Sequence, residues 1–182
     1  ISSGIVKKYK NFLISLPLGF NTSYLDGDNI GYNLYTNPSI TYAINKALKT
    51  IVQASFIDNT TKFAENRDYS AVGAGLGIRY NKDRVKSALG VNIQKFMAKE
   101  DLRFDISKNM ISYFAYSKYY FLKDFYIGAD LFFKSDDYSD LDKVMGYKRE
   151  DKIIRYGLST GKNINKNALL NLKYQHTKND SN

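Results

Sequence analysis

Phe125-Tyr126-Ile127-Gly128-Ala129-Asp130-Leu131-Phe132-Phe133-Lys134 is the stretch that decides the fold class. Phe125, Ile127, Ala129, Leu131 and Phe133 share one parity, and Tyr126, Gly128, Asp130 and Lys134 share the other. Apolar residues at every second position belong to a strand with one apolar face, because successive side chains of a strand point to opposite sides. The run is about ten residues long, which is what a tilted strand needs to cross the hydrocarbon of an outer membrane.

The same period recurs on both sides of this stretch. In Tyr69–Tyr80, Val72, Ala74, Leu76, Ile78 and Tyr80 oppose Gly73, Gly75, Gly77 and Arg79; the three glycines leave room in a lumen for bulky neighbours or ease curvature of the sheet. In Arg84–Phe96, Val85, Leu89, Val91 and Ile93 oppose Lys86, Gly90, Asn92 and Gln94. Asn11–Tyr24, Leu48–Ile57, Ile153–Gly161 and Ala168–Lys178 read the same way, Leu48–Ile57 more weakly. Ile30–Ile44 keeps its parity through Pro38 and reads as one long strand, with a split at Asn37-Pro38-Ser39 as the alternative. Met110–Phe121 is aromatic on both faces, so its register is undefined.

Tight turns at Asn45–Ala47, Asn81–Asp83, Leu122–Asp124 and Lys162–Asn167 alternate with the connections Leu25–Asn29, Asp58–Asp68, Met97–Asn109 and Ser135–Lys152, three of them long. Short turns at one end and long loops at the other are the rhythm of an up-and-down outer-membrane barrel. The expected fold is therefore all-β, an antiparallel up-and-down transmembrane β-barrel with about 9–10 strands visible, forming a single domain over residues 1–182. Nine strands counted from Asn11 would leave the two chain ends on opposite sides. Single-chain bacterial barrels usually have an even count, and an open edge in lipid leaves backbone groups unsatisfied. A larger barrel, with at least one closing strand beyond Asn182, is the resulting expectation.

Composition agrees with this class. Mean hydropathy is −0.42, as a barrel with a polar lumen and polar loops allows, and no apolar run approaches a spanning helix. The opening Ile1-Ser2-Ser3-Gly4 reads as a mature form or an excised domain. Cysteine is absent, which excludes disulfide scaffolds and thiolate metal sites. Sixteen Tyr and eleven Phe suit a membrane–water boundary. The net charge of +9 is spread over turns, loops and alternate strand positions, a pattern that argues against nucleic acid as partner.

If the apolar parity faces lipid, the other lines the interior. It carries Arg79, Lys86, Lys134, Arg155 and Lys173, with Lys118 on the poorly registered strand, against Asp130 alone. Such a wall favours anions or an anionic client segment, unless loop carboxylates fold in to pair with it. The acidic run Asp136-Asp137-Tyr138-Ser139-Asp140-Leu141-Asp142 lacks the register of a calcium loop and reads as solvated surface. His176, the only histidine, shares the parity of Leu172 and Tyr174 and reads as an interfacial structural residue, so no enzyme chemistry and no cofactor are expected.

Gly146-Tyr147-Lys148-Arg149-Glu150-Asp151, then Leu172-Lys173-Tyr174-Gln175-His176-Thr177 and Asn179-Asp180-Ser181-Asn182, resemble the C-terminal barrel of the surface lipoprotein assembly modifier family. In that family a basic-x-Asp step leads into a strand and a Ser-Asn pair precedes a final Tyr-rich strand. The resemblance implies residence in the bacterial outer membrane, contact with its lipid and lipopolysaccharide, a periplasmic repeat domain elsewhere in the full-length chain, and delivery of a client surface lipoprotein. The sequence departs from the family in lacking the repeats and the strand expected after Ser181-Asn182. A porin-like channel with a basic lumen, a structural or adhesive barrel, and a soluble β-barrel or sandwich are the competing readings. The soluble one requires Phe12, Leu76, Val91 and Leu131 inside.

Overall fold

The computed structural model describes residues 2–26, 28–61, 67–99, 106–122, 124–141, 146–164 and 169–181. Its strands are β1 (Ser2–Tyr9), β2 (Phe12–Leu25), β3 (Asp28–Thr36), β4 (Ser39–Ala43), β5 (Leu48–Thr61), β6 (Tyr69–Lys82), β7 (Val85–Ala98), β8 (Lys108–Tyr120), β9 (Phe125–Leu141), β10 (Lys148–Asn163) and β11 (Leu169–Ser181). They form one antiparallel meander in the order β1-β2-β3-β5-β6-β7-β8-β9-β10-β11, with β4 paired to β2 and β5.

The segments β3 and β4 are one strand with a gap. On the β2 side Leu18 faces Thr36 and Ile14 faces Ile40 in unbroken register; on the β5 side Thr36 faces Phe56 and Ser39 faces Gln53. Pro38 has no N–H for the ladder, but its carbonyl still accepts from Ala54 N at 2.9 Å. The tight turn before β5 is closed by Asn45, whose Oδ1 accepts from Ala47 N at 2.8 Å and Leu48 N at 2.9 Å.

Two sequence expectations are corrected. The strand β1 was missed, because Ile5 and Val6 put apolar groups on both faces and Lys7-Lys8 follow. It hairpins onto β2 through Lys10, which takes a φ of 49°. With β1 present, the first described strand starts and the last described strand ends on the loop side, and the odd-count argument loses its basis. Among the described residues, β1 and β11 each pair with a single neighbour. The loops are also shorter than read. The strands continue to Thr61, Ala98 and Leu141, and resume at Lys108 and Lys148, because a strand leaving the bilayer can be polar on both faces.

The ladders sort every strand into two faces. One carries Phe12, Leu16, Leu76, Ile127 and Leu131, which are 41–54% exposed, with Val91 half-buried beside them. The opposite face is polar and, from β5 to β10, mostly buried or half-buried. Among the described residues, buried apolar side chains are few: Ala71, Ala88, Tyr126 and Tyr138. The sheet therefore curls with its polar face inside and its apolar face out, the reverse of a soluble barrel.

The ladders also give the tilt. The register row from Val52 runs through Leu76, Val91, Tyr113, Phe133 and Ile154 to Lys178. It starts inside the apolar run of β5 and ends beyond that of β11, which is Leu170, Leu172 and Tyr174. The band thus slides six residues, roughly 20 Å, across six ladders spanning roughly 29 Å. That slope is about 35°, within the range of transmembrane barrels.

Candidate functional site, a basic groove on the inner wall

The polar face of β7 to β11 holds an open cavity of about 630 Å³. Lys86, Lys118, Arg155 and Lys173 line it, with Asp130 as the sole carboxylate among its lining residues. Cross-strand register places Lys86 directly opposite Lys118. Like charges in that position repel, and each ammonium lies over a ring instead: Lys86 Nζ is 4.9 Å from the Tyr120 centroid and Lys118 Nζ is 4.4 Å from that of Tyr126. The Arg155 guanidinium lies 4.7 Å from the Phe132 centroid, and its buried Nε has no hydrogen-bond partner. Cation–π contact holds the charges against the wall without neutralising them.

Glycine shapes the groove. Lys173 on β11 reaches across β10 to Asp130 on β9, Nζ to Oδ1 at 2.8 Å, passing over Gly157. A Cβ there would stand 2.8 Å from Asp130 Oδ1 and 3.0 Å from Lys173 Cε. Phe114 likewise lies over Gly90, where a Cβ would meet its ring at 2.7 Å.

The structure brings Lys86, Lys118, Arg155 and Lys173 to one groove. Arg79 is on the same face, opposite Lys49 on β5 and Ala88 on β7, in a small neighbouring pocket with Gln53 and Asn92. Lys134 is further toward the loop side and makes an ion pair. There Asp136, 2% exposed, accepts from both Lys108 Nζ and Lys134 Nζ at 2.7 Å through Oδ2, while its Oδ1 has no partner. Placing Asp136 in a solvated loop is corrected: β9 runs on to Leu141, and Asp136 shares the parity of Asp130 and Lys134. That continued parity was the signal that could have found it. Lys49 and Lys108 had weaker signals, one on a faintly alternating strand and the other inside an apparent loop.

Beyond the apolar band, the loop-side rim is tied together by Asp151. Burial pushes its carboxyl up, but hydrogen bonds from Arg149, Ser181 and Tyr138 outweigh that and hold it below the usual range. Tyr138 donates to Asp151 Oδ2 at 3.0 Å; its phenol is pushed up to about 12, first by burial and then by that bond. His176 lies on the outer face, its ring 5.1 Å from that of Tyr156.

No protein-family model matches the chain, and no curated protein matches it in sequence. Among solved structures, the crystal structure of OccAB3 from Acinetobacter baumannii, an outer-membrane porin, superposes with a TM-score of 0.57. Identity is 12%, and the match covers 98% of this chain and 49% of that one. The shared property is the fold, an antiparallel β-barrel. The chain spans about half the length of the porin it matches.

Proposed function

We propose that the protein resides in the bacterial outer membrane as a channel-type barrel whose inner wall favours anionic solutes. The carrying observation is the groove with four cationic side chains and one carboxylate. Fixed charges of one sign on a low-dielectric wall raise the local concentration of the opposite sign. The outward apolar band supports the membrane placement, and the likeness to a porin supports the barrel. No bond-making step is part of this reading. Reversal potentials across planar bilayers under a potassium chloride gradient test it. Chloride preference is expected, declining as Lys86→Gln, Lys118→Gln, Arg155→Gln and Lys173→Gln accumulate. A cation-selective wild-type pore refutes it.

The second reading is delivery of surface lipoproteins, implied by the family resemblance. It is favoured by one contact: two of the three resembling stretches meet where Asp151, already accepting from Arg149 of its own stretch, accepts from Ser181 of another. Its test is protease shaving of surface lipoproteins in cells with and without the protein; unchanged display removes it.

A further inference from the structure

We propose that the turn-side rim is a collar for the phosphate groups of anionic phospholipids, an inference resting on the membrane placement proposed above. The β1–β2, β4–β5, β6–β7, β8–β9 and β10–β11 ladders all close at one end of the sheet, where Tyr9 faces Phe12, Ala43 faces Lys49, Lys82 faces Val85, Tyr120 faces Tyr126 and Asn163 faces Leu169. There Lys10, Lys46, Lys82, Arg84 and Lys162 are exposed, against Asp83 and Asp124. Lys10, Lys46, Lys82 and Lys162 make no ion pair among the described residues.

The opposite rim differs. Asp58 holds Lys99 at 2.8 Å, Asp137 holds Lys148 at 2.9 Å, Glu150 holds Lys152 at 3.0 Å and Asp180 holds Lys178 at 2.8 Å. Among the described residues, these four loop-end cations are neutralised from within, whereas Lys10, Lys46, Lys82 and Lys162 at the turn end are left for something outside.

Just inside the turn-side cations stands a ring of outward aromatics. Tyr9, Phe12, Tyr42, Tyr80, Tyr119 and Phe121 are all exposed. Lys10 Nζ lies 5.5 Å from the Tyr9 ring and Lys162 Nζ 4.9 Å from that of Phe125. Aromatic rings settle at the headgroup boundary, and long cationic side chains extend past it to the phosphates. The spacing selects the source of phosphate. Successive turns are two strand separations apart, about 10 Å, so the five turns spread their cations over a rim of roughly 40 Å; one small anion meets two of them at most, whereas a lipid surface meets each in turn.

The test reconstitutes the protein into vesicles of equal phosphatidylglycerol and phosphatidylcholine with matched acyl chains. It is then extracted into mild detergent, and the retained lipid is counted by native mass spectrometry. Each basic residue near an anionic surface is worth roughly fivefold in affinity at low salt. Retained phosphatidylglycerol should exceed phosphatidylcholine by about fivefold or more, and fall to parity when Lys10, Lys46, Lys82 and Lys162 are all changed to Gln. The loop-side variant Lys148→Gln/Lys152→Gln/Lys178→Gln should keep the preference. Parity in the wild type, or equal loss in both variants, overturns the proposal. So does displacement of the lipid by inorganic phosphate beyond what chloride of the same ionic strength achieves. Insertion is scored separately by carbonate resistance in pure phosphatidylcholine vesicles. Failure of the wild type to insert removes the membrane reading and this inference with it; insertion with lipid parity removes this inference alone. If the fourfold variant does not insert, the Lys46→Gln/Lys82→Gln pair takes its place, with a partial loss of preference expected and an unchanged preference overturning the collar.

Discussion

Gly157→Ala should disconnect Lys173 from Asp130 without touching either residue. The new Cβ would lie 2.8 and 3.0 Å from the two Asp130 carboxylate oxygens, inside contact distance, so the carboxylate must swing away. At their 2.8 Å separation, two unit charges attract by about 1.5 kcal/mol at water-like dielectric. The side chains are 39% and 25% exposed, so screening and the cost of ordering a lysine reduce the net to about 0.5–1 kcal/mol. A double-mutant cycle of Lys173→Gln and Asp130→Asn, read by urea unfolding from phospholipid vesicles, should return that coupling in the wild type. In the Gly157→Ala background the coupling should vanish. The substitution itself should be close to neutral, because alanine gains roughly 0.5–1 kcal/mol over glycine in a strand interior. A coupling that survives Gly157→Ala would refute the claim that the bridge needs the bare glycine.

Three further outcomes follow from the geometry. Asp136→Asn leaves Lys108 and Lys134 facing each other without their carboxylate and should cost about 1–3 kcal/mol in the same unfolding assay. Leu76→Arg places a charge within the outward apolar band and should cost about 2–4 kcal/mol, whereas Gln175→Arg on the inner face should cost less than about 1 kcal/mol; equal costs would contradict the assignment of faces. Asp151 has a folded pKa below its ordinary value of 3.8, so its contribution to stability is present above that value and is lost as pH falls through the lowered one. Thermal melts in detergent should show a smaller loss between pH 5 and pH 2 for Asp151→Asn than for the wild type (pH limits about one to two units around the reference carboxylate value).

The alternation in Phe125–Lys134, Tyr69–Tyr80, Arg84–Phe96, Ile153–Gly161 and Ala168–Lys178 was enough to announce an antiparallel barrel and to place Arg79, Lys86, Lys134, Arg155 and Lys173 on the face opposite the apolar one. Side-chain direction in a strand is a local property, so it can be read wherever one face is consistently apolar. The reading failed where that contrast fades. Ser2–Tyr9 has apolar groups on both faces, and the polar ends of β5, β7 and β9 continue into water, where neither face needs to be apolar. Met110–Tyr120, aromatic on both sides, received its register only from the ladders to β7 and β9, which turned Lys118 inward opposite Lys86. The tertiary structure alone decided which inward charges meet: the Lys173–Asp130 bridge over Gly157, the two lysines on Asp136, and the gathering of four cations in one groove. Those contacts depend on the register between strands, and on a tilt that carries residues distant in sequence to the same height, whereas the sequence by itself determined only the alternation within each strand.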